Sequence, residues 1–173
     1  MATHRSDVVG SLLRPAYLAE ARRDAESGRL GPAEFKRIED RAVDEAVALQ
    51  EAAGLDVVTG GEMRRYAFFG HLIEALDGFD RFGGWAIPFR NEDGEQLVFK
   101  RPVVVERLRW RRSMCGEEFA YLRARARRPA KTTLISVQQA AAYYDPGSRA
   151  PPTRHATPTW PTWSTSPVAR SRS

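Results

Sequence analysis

A short apolar run that stops at two glycines constrains this chain more than any other stretch. The run and its glycines occupy residues 56–61, Glu62 follows them directly, and Arg64 and Arg65 come next. Glycine tolerates sharp turns and close approach to a ligand, and α/β proteins place their sites at the carboxyl ends of buried strands. The pattern therefore predicts a strand that delivers the Glu62 carboxylate to a site. The alternative is a surface loop in which Glu62 pairs with Arg64.

Helical periodicity and turn residues divide the rest of the chain into predicted elements. Apolar residues recur at three- and four-residue spacing from Phe35 to Ala53, and Gly54 ends that pattern. A strand that is apolar on both faces and follows such a helix, as 55–59 does, is typical of a parallel β/α unit. The fold class predicted is α/β. The elements predicted besides that strand are strands at 6–9 and 131–136, a hairpin at 85–105 that turns at 91–94, and helices at 15–28, 31–54, 66–76, 117–127 and 138–146.

Charge and composition narrow the function classes. The formal charge is +5, but four of the 27 basic residues lie in 147–173, where there is no acid, so residues 1–146 carry 23 basic and 22 acidic groups. This near-neutral body argues against a nucleic-acid partner.

No apolar run approaches the roughly 20 residues of a membrane span, and no signal-peptide pattern precedes Val8, so we expect a cytoplasmic protein without a membrane partner. The single Cys115 excludes an internal disulfide, and His71 is predicted to be a packed or surface histidine rather than a metal ligand.

The last 27 residues, 147–173, differ from the body in composition. They contain five prolines, ten serines and threonines, and one aliphatic residue larger than alanine, Val168. Such a segment cannot bury enough surface to order itself, so we expect a disordered tail. Written in GC-rich codons and read one base earlier, residues 155–165 become an amphipathic helix. We therefore hypothesise that the tail is translated out of frame; the alternative is a natural tail rich in Pro, Ser and Thr.

Three motifs in order resemble the cobalamin-independent methionine synthase family, in its stand-alone members that correspond to the catalytic domain. The motifs are 9–15 (VGSLLRP), 54–62 (GLDVVTGGE) and 131–136 (KTTLIS), and the resemblance runs from about Ser6 to Pro146. It implies a (β/α)8 TIM barrel that transfers a methyl group from a methylated folate to the thiol of homocysteine, with one zinc ion. Because eight units need about 250 residues, residues 1–146 are expected to be the N-terminal part of such a barrel, with about three units and an inserted hairpin.

The resemblance also implies a substrate site. Gly10 and Ser11 match the family's early turn at the amino-acid substrate, and Glu62 matches the glutamate that holds the substrate's ammonium group. We expect all three to converge at one end of the partial sheet, where a desolvated carboxylate is a natural partner for a cation. The family's zinc ligands lie on later strands that this chain lacks, so no metal ligand and no catalytic residue is assigned. The expectation is a truncated, inactive fragment that neither binds zinc specifically nor turns over.

Two other functions stay open from the sequence. One is a related methyl or alkyl transferase with a different thiol acceptor. The other is a non-catalytic binding protein with a basic tail.

Overall fold

A computed structural model describes residues 5–90, 94 and 96–148 of the 173. The predicted tail therefore lies outside the described residues, apart from Gly147 and Ser148 in a short 3-10 turn, Pro146–Ser148. No helix among the described residues is both long enough and apolar enough to cross a membrane.

The predicted helices that rest on local periodicity are present. They are α1 (Ala16–Glu26), α2 (Pro32–Ala52), α4 (Gly116–Arg125) and the short α5 (Val137–Ala141). The longest, α2, begins with proline at its first turn, where the missing N–H costs nothing, and one face is buried. The buried residues of that face are Ala42, Val43, Ala46, Val47 and Gln50.

The aromatic segment at 66–76 is shorter as a helix than predicted. Only Gly70–Ala75 forms α3, and Leu76–Asp80 is a strand, β1, that pairs antiparallel with β4 (Val103–Trp110). The register of this pair shifts between Asp77 and Phe79, and a Cβ at Gly78 would lie 2.9 Å from the Arg107 carbonyl oxygen. The pairing partner is distant in sequence, so this tertiary contact overrides the local helical pattern.

The predicted hairpin is confirmed in its core. Strands β2 (Ala86–Arg90) and β3 (Gln96–Lys100) pair antiparallel across the turn region. Residues 103–105, which were expected to belong to the hairpin, instead start β4.

The expected partial TIM barrel is not confirmed, although helices and strands are mixed as expected. Within the described residues, the predicted parallel strands 55–59 and 131–136 reduce to one parallel bridge between Val58 and Ala130. In that bridge the Val58 N–H donates to Pro129 O at 2.9 Å, and the Lys131 N–H donates to Val58 O at 2.9 Å. Segment 6–9 does not form a strand. It lies alongside residues 56 and 57, because Ser6 O accepts the N–H groups of Asp56 and Val57.

Two apolar clusters hold these elements together. The first joins α1, α2 and α4 around Val58 and Met63, and Leu18 and Leu122 are fully buried within it. The second joins α3 and β1 to Tyr143, which follows α5. Segment 59–65 leads from the bridge toward α3. Its residue Met63 is buried in the first cluster, and this packing fixes the position of the segment.

Candidate functional site

The turn after Val58 is built from two successive residues with left-handed backbone. Gly61 has φ 62° and Glu62 has φ 57°, a conformation that favours glycine and is uncommon for glutamate. The turn is tied on both sides, since the Gly61 N–H donates to Thr59 Oγ1 at 3.1 Å and Gly61 O accepts the Leu12 N–H at 3.1 Å. As a result the Glu62 side chain enters the protein, where Glu62 is 5% exposed.

The Glu62 carboxylate joins three segments that are far apart in sequence. The Ser11 hydroxyl donates to Oε2, and the Thr133 hydroxyl and Arg65 Nη1 donate to Oε1, the latter at 3.0 Å. The predicted convergence of Ser11 and Glu62 is therefore found. Gly10 directly precedes Ser11 and borders open space, because an added Cβ there would meet no atom within 4 Å.

Arg65 organises the site, although the sequence indicated no role for it. Its side chain is 2% exposed, and its Nε and Nη2 donate to the two oxygens of Glu118 at 3.0 and 2.9 Å. Its Nη2 also donates to Thr133 O at 3.0 Å. The arginine pair at 64 and 65 was visible in the sequence, and Thr133 lies in a predicted strand, but Glu118 on α4 carries no sequence signal for the site.

A second guanidinium lies beside the first. Arg14 Nη2 donates to the carbonyl oxygens of Arg65, at 2.9 Å, and of Glu62, at 3.4 Å. Burial lowers the pKa of Arg14, the neighbouring Arg22 adds to that effect and Glu62 opposes it. Even so, an arginine stays charged near neutral pH. The site therefore contains two carboxylates, Glu62 and Glu118, and two guanidiniums.

Arg64 points away from Glu62. Its Nη2 binds Asp40 Oδ1 on α2, and its Nη1 lies 3.8 Å from Glu39 Oε2. The surface-loop alternative, with an ion pair between Glu62 and Arg64, is therefore wrong.

An open cleft of about 630 Å³ lies next to Arg65, and Glu62 is not part of its lining. The walls come from α2, α3, α4 and the segment before α4, and they include Glu39, Glu74 and Cys115. Burial raises the pKa of Glu39 against the opposing effects of Arg22 and Arg64. The cleft is thus lined by charges of both signs, and several of them pair with each other across it or along its walls.

The soft donor side chains that the structure describes do not assemble into a metal site. Burial raises the pKa of the Cys115 thiol, which disfavours the thiolate that zinc requires. His71 is buried, and its Nε2 accepts the Ile135 N–H at 3.3 Å, so the ring serves as a packed histidine, as expected. Among the residues the structure describes, no group of three or more His, Cys, Asp or Glu side chains is placed to hold a metal ion. The described donors therefore do not fit the zinc site that the family resemblance implies.

Comparison with known proteins gives several relatives that are named as methionine synthases. A methionine synthase from Sulfurisphaera tokodaii is 31% identical over 117 residues, which are 68% of this chain and 33% of that protein. A 5-methyltetrahydropteroyltriglutamate–homocysteine methyltransferase from Syntrophotalea carbinolica is 32% identical over 138 residues, 78% of this chain and 17% of that protein. The chain thus spans a third or less of either relative. No protein-family model matches it.

Comparison of the fold with solved structures also finds a methionine synthase. The B12-independent methionine synthase of Shewanella sp. W3-18-1, solved in complex with selenomethionine, superposes with a TM-score of 0.61 at 24% identity. The match covers 81% of this chain and 40% of that one. The chain is therefore a homologue, in sequence and in fold, of a part of the cobalamin-independent methionine synthases.

Proposed function

We propose that Glu62, together with Ser11 and Gly10, binds the ammonium group of a thiol amino acid such as homocysteine. The chain would supply this part of a site for methyl transfer from a methylated folate to that thiol. The supporting observation is the buried Glu62 carboxylate, which the Ser11 and Thr133 hydroxyls and Arg65 hold in one orientation.

The hydrogen bonds at Glu62 leave room for a cation at one oxygen. Oε1 accepts from both Arg65 and Thr133, whereas Oε2 accepts from Ser11 alone among the described residues. A carboxylate oxygen can accept about two hydrogen bonds. Ser11 is exposed and Gly10 borders open space, so an ammonium group can approach Oε2 from that side.

The proposal for this chain concerns binding and orientation of the amino acid. A thiol needs to lose its proton before it attacks a methyl group, and the described residues supply no zinc site for that step. We therefore expect binding of the amino acid without methyl transfer by this chain on its own.

The test is calorimetric titration of the purified full chain with L-homocysteine and with L-methionine. Replacing the carboxylate in Glu62→Gln removes a charge-assisted hydrogen bond, which is worth about 1.5 to 3 kcal/mol, so affinity should fall roughly ten- to a hundredfold. Glu20→Gln, which changes an exposed carboxylate on α1, is the matched control and should bind like the wild type. Equal affinity of Glu62→Gln and wild type, or no binding by the wild type, would contradict the proposal.

A further inference from the structure

Glu118 is the only residue of α4 that reaches the Glu62 site among the described contacts, and it does so through Arg65. Its two carboxylate oxygens accept Nε and Nη2 of Arg65 at 3.0 and 2.9 Å, the parallel two-point geometry typical of strong arginine–carboxylate pairs. The Glu118 side chain is 14% exposed. Solvent therefore screens this ion pair far less than a surface pair.

One guanidinium is thus shared between two carboxylates. The edge of Arg65 formed by Nε and Nη2 faces Glu118, and Nη1 faces Glu62 at 3.0 Å. Arg65 cannot neutralise both acids. Glu62 therefore keeps part of its negative charge available at Oε2.

The other charged groups around the turn are bound elsewhere, apart from Arg14. Lys131 binds Asp7 at 2.5 Å, and Arg22 binds Glu39 at 3.0 Å. The guanidinium of Arg14 lies against the carbonyl oxygen of Glu62, as described above. With Glu118 present, two carboxylates offset the charges of the two guanidiniums. Without the charge of Glu118, two guanidiniums would face the single Glu62 carboxylate.

We propose that Glu118 determines the affinity of the Glu62 site for a primary ammonium group by balancing the charge of Arg65. This inference rests on the proposed binding of an amino acid at Glu62. Glu118 touches no ligand in this scheme and acts through Arg65, so it is a positioning and specificity-determining residue. A cationic group gains from the second carboxylate, whereas an analogue without the amino group gains nothing.

The experiment compares L-methionine with desamino-methionine, the same molecule without its amino group, by calorimetric titration of the full chain. Glu118→Gln keeps the length of the side chain and an oxygen that can accept from Arg65, but it removes the charge. Affinity for methionine should fall about tenfold, equivalent to about 1.4 kcal/mol. Affinity for desamino-methionine should not fall, since this ligand has no ammonium group for the second carboxylate to attract and a more positive site does not disfavour its carboxylate.

Two variants control for other causes. Glu117→Gln removes the same charge one residue away on α4, at an exposed position without a described contact to Arg65, and it should bind both ligands like the wild type. Glu118→Asp keeps a carboxylate at this position and should keep the preference for the amino-bearing ligand. The melting temperature of each variant is measured first, and all titrations are carried out at one temperature below the lowest melting temperature. A variant that had merely lost its packing would lose both ligands together.

The outcomes separate the two proposals. If the wild type prefers methionine and Glu118→Gln keeps that preference in full, Glu118 has no such role and the binding function stands. If the wild type shows no preference for the amino group, both proposals fail. A loss of preference in Glu118→Gln but not in Glu117→Gln supports both.

Discussion

At the scale of single residues, His71 couples the stability of the protein to pH. Burial is the main cause and the charge of Arg65 the second, and together they lower the pKa of its imidazole from the ordinary value of 6.5 to about 4. The neutral ring accepts the Ile135 N–H, so a protonated ring would lose this hydrogen bond between α3 and segment 131–136. The folded state therefore binds this proton less readily than the unfolded state does.

Because the folded pKa is the lower one, the contribution of His71 is complete above about pH 6.5 and is lost as the pH falls toward about 4. At about 1.36 kcal/mol for each pKa unit, the free energy of unfolding should drop by about 2 to 3 kcal/mol over that range. Urea unfolding at about pH 7 and about pH 4.5 measures the drop. His71→Gln keeps a hydrogen-bond acceptor but does not titrate. Between the two pH values, the free energy of unfolding of this variant should therefore fall by about 2 to 3 kcal/mol less than that of the wild type. The same drop in both proteins would show that another group is responsible.

The residues of the site differ in how far sequence could identify them. Glu62 and Ser11 follow glycine-containing turns next to apolar runs, and the family resemblance, together with the expectation of neighbouring parallel strands, predicted their convergence. Arg65 and Glu118 could not be identified in the same way, because their role comes from a contact between a turn and a helix, 53 residues apart in the chain. Whether Gly10, Ser11 and Glu62 bind a substrate stays a prediction.

At the scale of elements, a buried amide side chain holds α2 to the start of the site turn. Gln50 is 2% exposed; its Nε2 donates to Thr59 O at 2.7 Å, and its Oε1 accepts the Thr59 N–H at 2.9 Å. This pair of bonds replaces the bonds that a neighbouring strand would give to Thr59. Gln50 therefore fixes the start of the turn, where Thr59 has its backbone partners.

Replacing that glutamine should be costly. Gln50→Leu fills a similar volume but leaves both backbone groups of Thr59 buried without a partner, at about 1 to 3 kcal/mol for each. We expect a loss of about 2 to 5 kcal/mol in the free energy of unfolding, measured by urea denaturation. Gln139→Leu, on the exposed side of α5, should change it by less than about 0.5 kcal/mol. A change of that small size in Gln50→Leu would show that Thr59 finds other partners.

The helices other than α3 and the hairpin of β2 and β3 were predictable from sequence, whereas the pairing of β1 with β4 was not. In α2 the spacing of apolar residues is set within the element, and a proline and a glycine mark its ends. Strand β1 has no such internal mark, since it is defined by pairing with β4 across the whole hairpin segment. The expected strand 131–136 is instead held by side chains, with Arg65 bound to Thr133 O and His71 bound to the Ile135 N–H. A barrel prediction depends on such long-range pairings, and it is the part of the fold prediction that is not confirmed.

At the scale of the whole molecule, apolar side chains remain uncovered near the site. Leu13 is 94% exposed, and Leu134 and Val137 are 62% and 64% exposed. Contiguous exposed apolar surface drives association in water. We expect the purified chain to self-associate as its concentration rises.

The double variant Leu134→Ser and Val137→Ser should reduce that self-association, as measured by sedimentation velocity over a range of concentrations. Leu49→Ser, at an exposed position on α2 with 63% exposure, serves as the control. It should leave the association unchanged if the surface at Leu134 and Val137 is the cause. An equal reduction in both variants would indicate general hydrophobicity instead.

The bridge between Val58 and Ala130 also has a consequence for the order of folding. Helices α1 and α2 are adjacent in the chain and can pack early, whereas α3, both small sheets and α4 lie between the two ends of the bridge in sequence. Contacts between residues distant in sequence carry a larger loop-closure cost and slow the search. In a pulsed hydrogen-exchange experiment during refolding, the Val58 and Lys131 amides should thus become protected later than those inside α2. The Glu62 turn lies directly after this bridge, so we expect the site to take its final form later than the two helices that precede it.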